Sequence, residues 1–205
     1  MRAKTTENRP PLVLASTSVY RKALLARLGL AFESVAPGVD ETALPGESPA
    51  ATAFRLAEAK ARAVAARYAR ALVLGSDQVA DLDGVAIGKP GDHARAREQL
   101  ARVSGRSVVF HTAVALVNAS TGSCRARLVD ATTTFRTLTA DAIEQYLRRE
   151  RPYDCASSVK AEALGIAIVE AIHSDDPTAL IGLPLIAVVD LLRGEGVDVL
   201  APSEN

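Results

Sequence analysis

Two kinds of β segment alternate in this chain, and that alternation restricts its fold more than any other feature. Leu12–Ala15 is a short apolar run that passes at once into Ser16-Thr17-Ser18 and a helical stretch, as a buried strand does when it feeds a helix. Ser107–Asn118 and residues 124–136 are instead long β segments joined by the turn Ser120-Thr121-Gly122, the pattern of an antiparallel hairpin. A chain that mixes βα units with long hairpins is expected to be α/β, a mixed twisted sheet with flanking helices.

The other segments fill in that sheet. The first helix is expected to run to about Leu28 and to close on Gly29. Residues 32–36 read as a strand and 37–48 as a loop rich in glycine, proline and acid. Ser48-Pro49 reads as an N-cap with proline in the first turn of a helix reaching about Tyr68. Residues 72–74 are expected to form a strand ending at Gly75-Ser76-Asp77, with a separate hairpin over 79–87 about Asp83-Gly84. Further helices are expected over 92–103, 139–150 and 183–193, and a strand over 165–172. No linker, repeat or low-complexity tract divides the chain. The reading is a flexible N-terminus at 1–10 and one domain over 11–205.

Composition limits the function classes. Lysine and arginine total 24 and so do the acids, so the net charge is zero. A protein that binds nucleic acid by counterion release carries a basic excess, and none is present. Cys124 and Cys155 lie far apart and His93, His111 and His173 are scattered, which argues against a disulfide framework and a structural zinc site. The apolar stretch at 179–192 is too short to span a membrane and contains Asp190. The N-terminal residues are polar, without an apolar signal core. The expectation is a cytoplasmic, reduced protein with no nucleic-acid or membrane partner. Arginine outnumbers lysine 19 to 5, so each lysine draws notice.

Candidate functional residues then stand out by chemistry. Ser16 and Ser18 sit between a strand end and a helix start, where free amides and the helix dipole suit an anion, and Arg21 in the first turn adds a bidentate charge. The same residues also serve as plain helix capping. Glu41, beside Asp40 in the loop, is a hard-cation ligand type, because Mg²⁺ takes one or two carboxylates together with phosphate oxygens. Lys60 lies four residues from both Leu56 and Val64, on their inward face, and so snorkels to a rim or enters a polar cleft. Asp77 is placed just past a buried strand, where open α/β sheets carry site residues, with Gly75 permitting close approach of a ligand. Lys89 is held between Gly88 and Pro90. Lys160 and Glu162, two apart in a small-residue loop, have the makings of an exposed ion pair. Asp175-Asp176-Pro177 and residues 181–185 read as mainly architectural. No GxxxxGK[ST] loop and no Ser/His/Asp or Cys/His system can be assembled.

At these residues the sequence resembles the Maf family of nucleotide pyrophosphatases over about 12–200. Leu14-Ala15-Ser16-Thr17-Ser18 with Arg21 is similar to the family's opening motif. Val39-Asp40-Glu41, residues 56–60, Gly75-Ser76-Asp77, Gly88-Lys89-Pro90, Ser104-Gly105 and Ile181-Gly182-Leu183-Pro184-Leu185 follow in the family's order. The resemblance implies two lobes around a central cleft, the Maf/Ham1, ITPase-like arrangement, and a homodimer. It implies hydrolysis of a nucleoside triphosphate to the monophosphate and pyrophosphate with Mg²⁺ or Mn²⁺. In that reading Asp77 is the proton acceptor, Glu41 and Asp77 hold the metal, and Ser16, Ser18, Arg21, Lys60, Lys89 and Lys160 bind phosphate.

Ser76-Asp77-Gln78, Asp154-Cys155-Ala156, residues 160–162 and Asp175-Asp176-Pro177 resemble the branch acting on 7-methyl-GTP. Tyr20, Gln78 and Glu162 stand at that branch's specificity positions. Tyr20 replaces an expected tryptophan, and Ser157 stands where the family has glycine. A carboxylate at 162 suits the N1–H and 2-amino donors of guanine, and N7-methylation makes that base cationic, favouring an acid and an aromatic face. A dTTP/UTP pyrophosphatase is the alternative within the family. A nucleotide-binding regulator of cell division without turnover is the alternative outside enzymology.

Overall fold

A computed structural model describes residues 9–201. The expected flexible segment at 1–10 and the end of 11–205 therefore fall largely outside the described residues. The sheet has seven strands in the order β2-β1-β3-β5-β6-β7, with β4 on β3. β1 (Leu12–Ala15) lies parallel between β2 (Phe32–Ser34) and β3 (Leu72–Leu82). β5 (Ser107–Asn118), β6 (Cys124–Phe135) and β7 (Val169–Ser174) follow, each antiparallel to its predecessor. β4 (Val85–Ile87) folds back on the far end of β3 through the Asp83-Gly84 turn. The sheet is mixed, as the two kinds of β segment require.

Five helices cover it: α1 (Val19–Ala26), α2 (Pro49–Ala65), α3 (His93–Val103), α4 (Ala140–Glu150) and α5 (Leu185–Gly194). Ser18, Ser48, Asp92 and Thr139 cap the first four, each side chain accepting from the amide three residues on. The fifth has proline at its cap position. There Asp176 reaches in from the preceding loop, its Oδ2 accepting from the Ile186 amide at 2.7 Å. The architectural reading of Asp176 is thus given a definite contact.

α2 is the helix that builds the site. Its buried positions Ala53, Leu56, Ala57, Lys60, Ala61 and Val64 repeat at helical spacing, and three of them are alanines. Small side chains let the helix lie close on the sheet, and Gly75 lets it lie closer. A Cβ at Gly75 would stand 2.3 Å from the Ala57 carbonyl oxygen and 2.5 Å from the Ala61 nitrogen. The expectation that Gly75 opens space for a ligand is corrected: the missing side chain is filled by helix backbone.

Apolar side chains collect in three clusters. One, with Leu82, Leu100, Phe110, Phe135 and Leu147, joins the far ends of β3, β5 and β6 to α3 and α4. The other two pack α1 and α5, and α2, on opposite faces of the near half of the sheet. The cleft lies between the first cluster and the other two, which gives the expected two lobes.

Two strand expectations need correction. Residues 72–74 and 79–87 are not separate elements, because β3 continues unbroken through Gly75-Ser76-Asp77-Gln78. The polar run interrupts the apolar pattern without interrupting the strand, since β5 pairs with it throughout. Residues 165–172 are not one strand. Leu164–Ile168 is a 3-10 helix and extended structure starts at Val169. The Gly165 amide donates to the Lys160 carbonyl at 3.0 Å, a turn so tight that a Cβ would sit 2.3 Å from that oxygen.

Candidate active site

β1 and β4 approach the same edge of β3 from opposite ends. The last β1 pair is Ala15 with Gly75 and the nearest β4 pair is Ile87 with Ala80. Residues 76–79 therefore keep β5 on one side and have no strand on the other. A cleft of about 870 Å³ opens at this gap, within the size range of small-molecule sites. Asp77 lies in mid-strand at its floor, and not beyond a strand end.

Lys60 reaches the gap from α2. It is 4% exposed, and its Nζ lies 2.6 Å from Asp77 Oδ1 and 2.7 Å from Glu41 Oε1. The side chain enters the polar cleft. Burial pushes the Asp77 carboxyl above its ordinary value, Lys60 and Arg21 pull it back down, and Glu41 adds to the rise. Arg21 Nε donates to the Gly182 carbonyl at 2.8 Å. Burial lowers the guanidinium pKa while Asp77 and Glu41 oppose the change, and a guanidinium stays charged through such a shift.

At the β1–α1 junction Ser16 Oγ accepts from the Ser18 amide at 3.1 Å, and Ser18 Oγ caps α1 through the Arg21 amide. Both serines line the cleft at a helix N-terminus. Lys89 lies exposed on the opposite lip, with no side-chain partner among the described residues. These groups converge from β1–α1, the 37–48 loop, α2, β3 and the segment after β4.

The cleft is also lined by Tyr20, Gln78, Asp154, Cys155 and Glu162. The Tyr20 hydroxyl donates to Asp154 Oδ2 at 3.1 Å. Lys160 does not pair with Glu162: its Nζ is 3.5 Å from Glu150 Oε1 and 5.9 Å from the centroid of the Tyr20 ring. Lys160 stands behind Tyr20 and is not among the residues facing the cleft. Glu162 does face it and has no side-chain partner among the described residues. Gln78 spends its amide nitrogen on Thr112 Oγ1 at 2.9 Å and on the carbonyls of Ala179 and Leu180 at 2.9 and 3.0 Å. It thereby ties β3 to the turn before α5.

Sequence reasoning missed the contribution of that turn. Gly182, with φ of 116°, presents its carbonyl to Arg21 Nε and to Ser76 Oγ at 3.0 Å, so residues 180–182 line the site as well as shaping the fold. A glycine two residues before a proline was the available signal. At Ser157 and Ser158 the backbone is left-handed, with φ of 54° and 56°. The Ser157 hydroxyl is buried without a hydrogen-bond partner in the structure, which accounts physically for glycine being the better residue there.

Comparison with known proteins agrees with this architecture. The family model described as Maf-like protein matches residues 11–195. A protein of Thiobacillus denitrificans named 7-methyl-GTP pyrophosphatase is 57% identical over 195 residues, covering 95% of this chain and 97% of its own. Proteins of the same name from Polaromonas sp. and Nitrosospira multiformis are 56% and 50% identical, covering 93% and 96% of this chain and 87% and 100% of their own. The chain belongs to the Maf family.

Proposed function

We propose that this protein is a nucleoside triphosphate pyrophosphatase that hydrolyses 7-methyl-GTP to 7-methyl-GMP and pyrophosphate, removing a modified nucleotide from the cell's pool. The observation that carries the reading is the Lys60 ammonium held between the carboxylates of Asp77 and Glu41 in a cleft also lined by Arg21. The names of the relatives supply the substrate.

In the proposed reaction water attacks the α-phosphorus in line and pyrophosphate leaves. Asp77 takes the proton, and the burial that raises its pKa makes it a stronger base than an exposed aspartate. Arg21, Lys60 and Lys89 bind phosphate oxygens and offset the charge that develops, with Ser16, Ser18 and their helix N-terminus assisting.

Glu41 and Asp77 are the residues to hold a divalent ion, Mg²⁺ or Mn²⁺. Their oxygens already converge on one cation, the Lys60 ammonium. Such an ion supplies charge neutralisation and polarises the phosphoryl group. At the base end, Glu162 accepts from N1–H and the 2-amino group of guanine, and Tyr20 offers its ring.

No described helix is long and apolar enough to cross a membrane. A cytoplasmic homodimer without nucleic-acid partners completes the proposal. The test is a hydrolysis panel with Mg²⁺ or Mn²⁺ over 7-methyl-GTP, GTP, dTTP and UTP, with products identified chromatographically. The expected outcome is highest kcat/KM on 7-methyl-GTP with stoichiometric pyrophosphate. Preference for dTTP and UTP would move the protein to the other branch, and binding without turnover would make it a regulator.

A further inference from the structure

The charges of the cleft fall into two groups by their contacts. In the first, around Lys60, the cations Arg21, Lys60 and Lys89 of the lining outnumber Glu41 and Asp77. In the second, Asp154 and Glu162 line the cleft, and the ammonium of Lys160 lies outside the lining, 3.5 Å from Glu150. The neighbouring Cys155 thiol adds no charge: its pKa is pushed up to about 12 by burial first and by Asp154 next. Tyr20 is likewise raised to about 12, by burial first and by Cys155 and Asp154 against the opposing Lys160, and so keeps its proton and remains a donor to Asp154. Of these acids Glu150 is engaged by Lys160 and by the Leu164 amide. Asp154 is exposed in the cleft wall and held there by the Tyr20 hydroxyl.

Resting on the reading of 7-methyl-GTP as substrate, we propose that Asp154 is a specificity-determining residue, whose carboxylate selects a cationic, N7-alkylated purine over a neutral one. Glu162 and Asp154 then divide the work. A carboxylate reading N1–H and the 2-amino group serves methylated and unmethylated guanine alike, because both present those donors. Asp154, at the hydroxyl end of the Tyr20 ring, distinguishes them by charge alone. Lys160 lies 3.5 Å from Glu150 and also feels the charge of Asp154, yet no ion pair ties the Asp154 carboxylate to it, so that carboxylate still faces the cleft with charge to offer a cationic base.

Asp154→Asn removes the charge and leaves an oxygen to accept from Tyr20. The ratio of kcat/KM for 7-methyl-GTP over GTP is expected to fall by about tenfold, the effect of a unit charge roughly 6 Å away at an effective dielectric of about 40. The loss appears in KM for 7-methyl-GTP with kcat nearly unchanged, as removal of uniform binding requires. Raising the salt concentration lowers the wild-type ratio and leaves that of the variant flat, because the charge is screened. Tyr20→Phe, which keeps both ring and carboxylate, retains most of the ratio.

If the wild type prefers 7-methyl-GTP and Asp154→Asn keeps the whole ratio, this inference is overturned and the proposed function stands. If Tyr20→Phe loses as much as Asp154→Asn, the carboxylate acts only by fixing the ring, and selection by charge is rejected. A wild type indifferent to methylation overturns both.

Discussion

Replacing Gly75 by alanine tests whether the approach of α2 to β3 sets the site. The added Cβ meets the Ala57 carbonyl oxygen at 2.3 Å, the Ala61 nitrogen at 2.5 Å and the Ala61 Cβ at 2.9 Å. Two of these atoms are helix backbone, so no side chain can swing aside. Restoring ordinary contact moves α2 outward by about 1 Å, and overpacking of this kind costs roughly 3 kcal/mol, the upper part of its usual range. For a chain of this size that corresponds to a melting temperature lower by about 6–12 °C.

The same movement draws Lys60 away from Asp77, whose present separation is 2.6 Å. A 1 Å misplacement of a catalytic set costs on the order of a hundredfold in rate. Thermal unfolding and steady-state hydrolysis of 7-methyl-GTP are the assays. Gly88→Ala is the control for a cleft glycine, because a Cβ there meets nothing within 4 Å. A Gly75→Ala protein that melts with the wild type and turns over at its rate would refute the argument that helix approach positions Lys60.

Asp77→Asn is expected to lower kcat/KM by about 10²–10⁴, the usual contribution of a general base. In the wild type the rate falls as pH falls through the Asp77 pKa. Because burial raises that pKa, the acid limb of kcat/KM lies above the ordinary aspartate value of about 3.9. The linked stability has the opposite sense: what protonated Asp77 contributes at low pH is lost as pH rises through the raised pKa. Ser157→Gly relieves a left-handed serine and a buried hydroxyl without a partner, and a gain of about 1–2 kcal/mol should appear in urea unfolding. Asp176→Ala strips the acceptors of the Thr178 and Ile186 amides, at 2.9 and 2.7 Å, and should cost roughly 2–3 kcal/mol by the same titration.

What was legible in the sequence was whatever local chemistry decides. The serine and threonine caps, the Asp83-Gly84 turn and the inward face of α2 with Lys60 on it all follow from spacing and from side chains acting on their own backbone. What was illegible depended on partners distant in the chain. Gly75-Ser76-Asp77-Gln78 resembles a strand end because its polar residues break the apolar run, yet β5 holds it extended. Gly75 signalled a close neighbour, but only the packed fold shows the neighbour to be α2 backbone. Lys160 and Glu162 suggested a pair by proximity in sequence, while the 3-10 turn at Gly165 sends Lys160 toward Glu150 instead. The 7-methyl-GTP reading came from family resemblance, not from spacing or composition.

The position of Asp77 says how this cleft works. β3 and β5 stay paired from Leu72–Asn118 to Asp81–Val109, through both lobes and across the gap. The cleft is thus a notch in one continuous sheet, and a hinge between lobes would have to break that ladder. Asp77 and its neighbours are carried on a strand paired along its length, a placement that holds a reacting group more tightly than a loop does. Adjustment to substrate then falls to what is not in the ladder: Glu41, whose side chain is 59% exposed on the 37–48 loop, and Lys89 on the opposite lip. A base fixed in the sheet, with phosphate-binding charges around it, can hold the attacking water in line with the α-phosphorus and the leaving pyrophosphate.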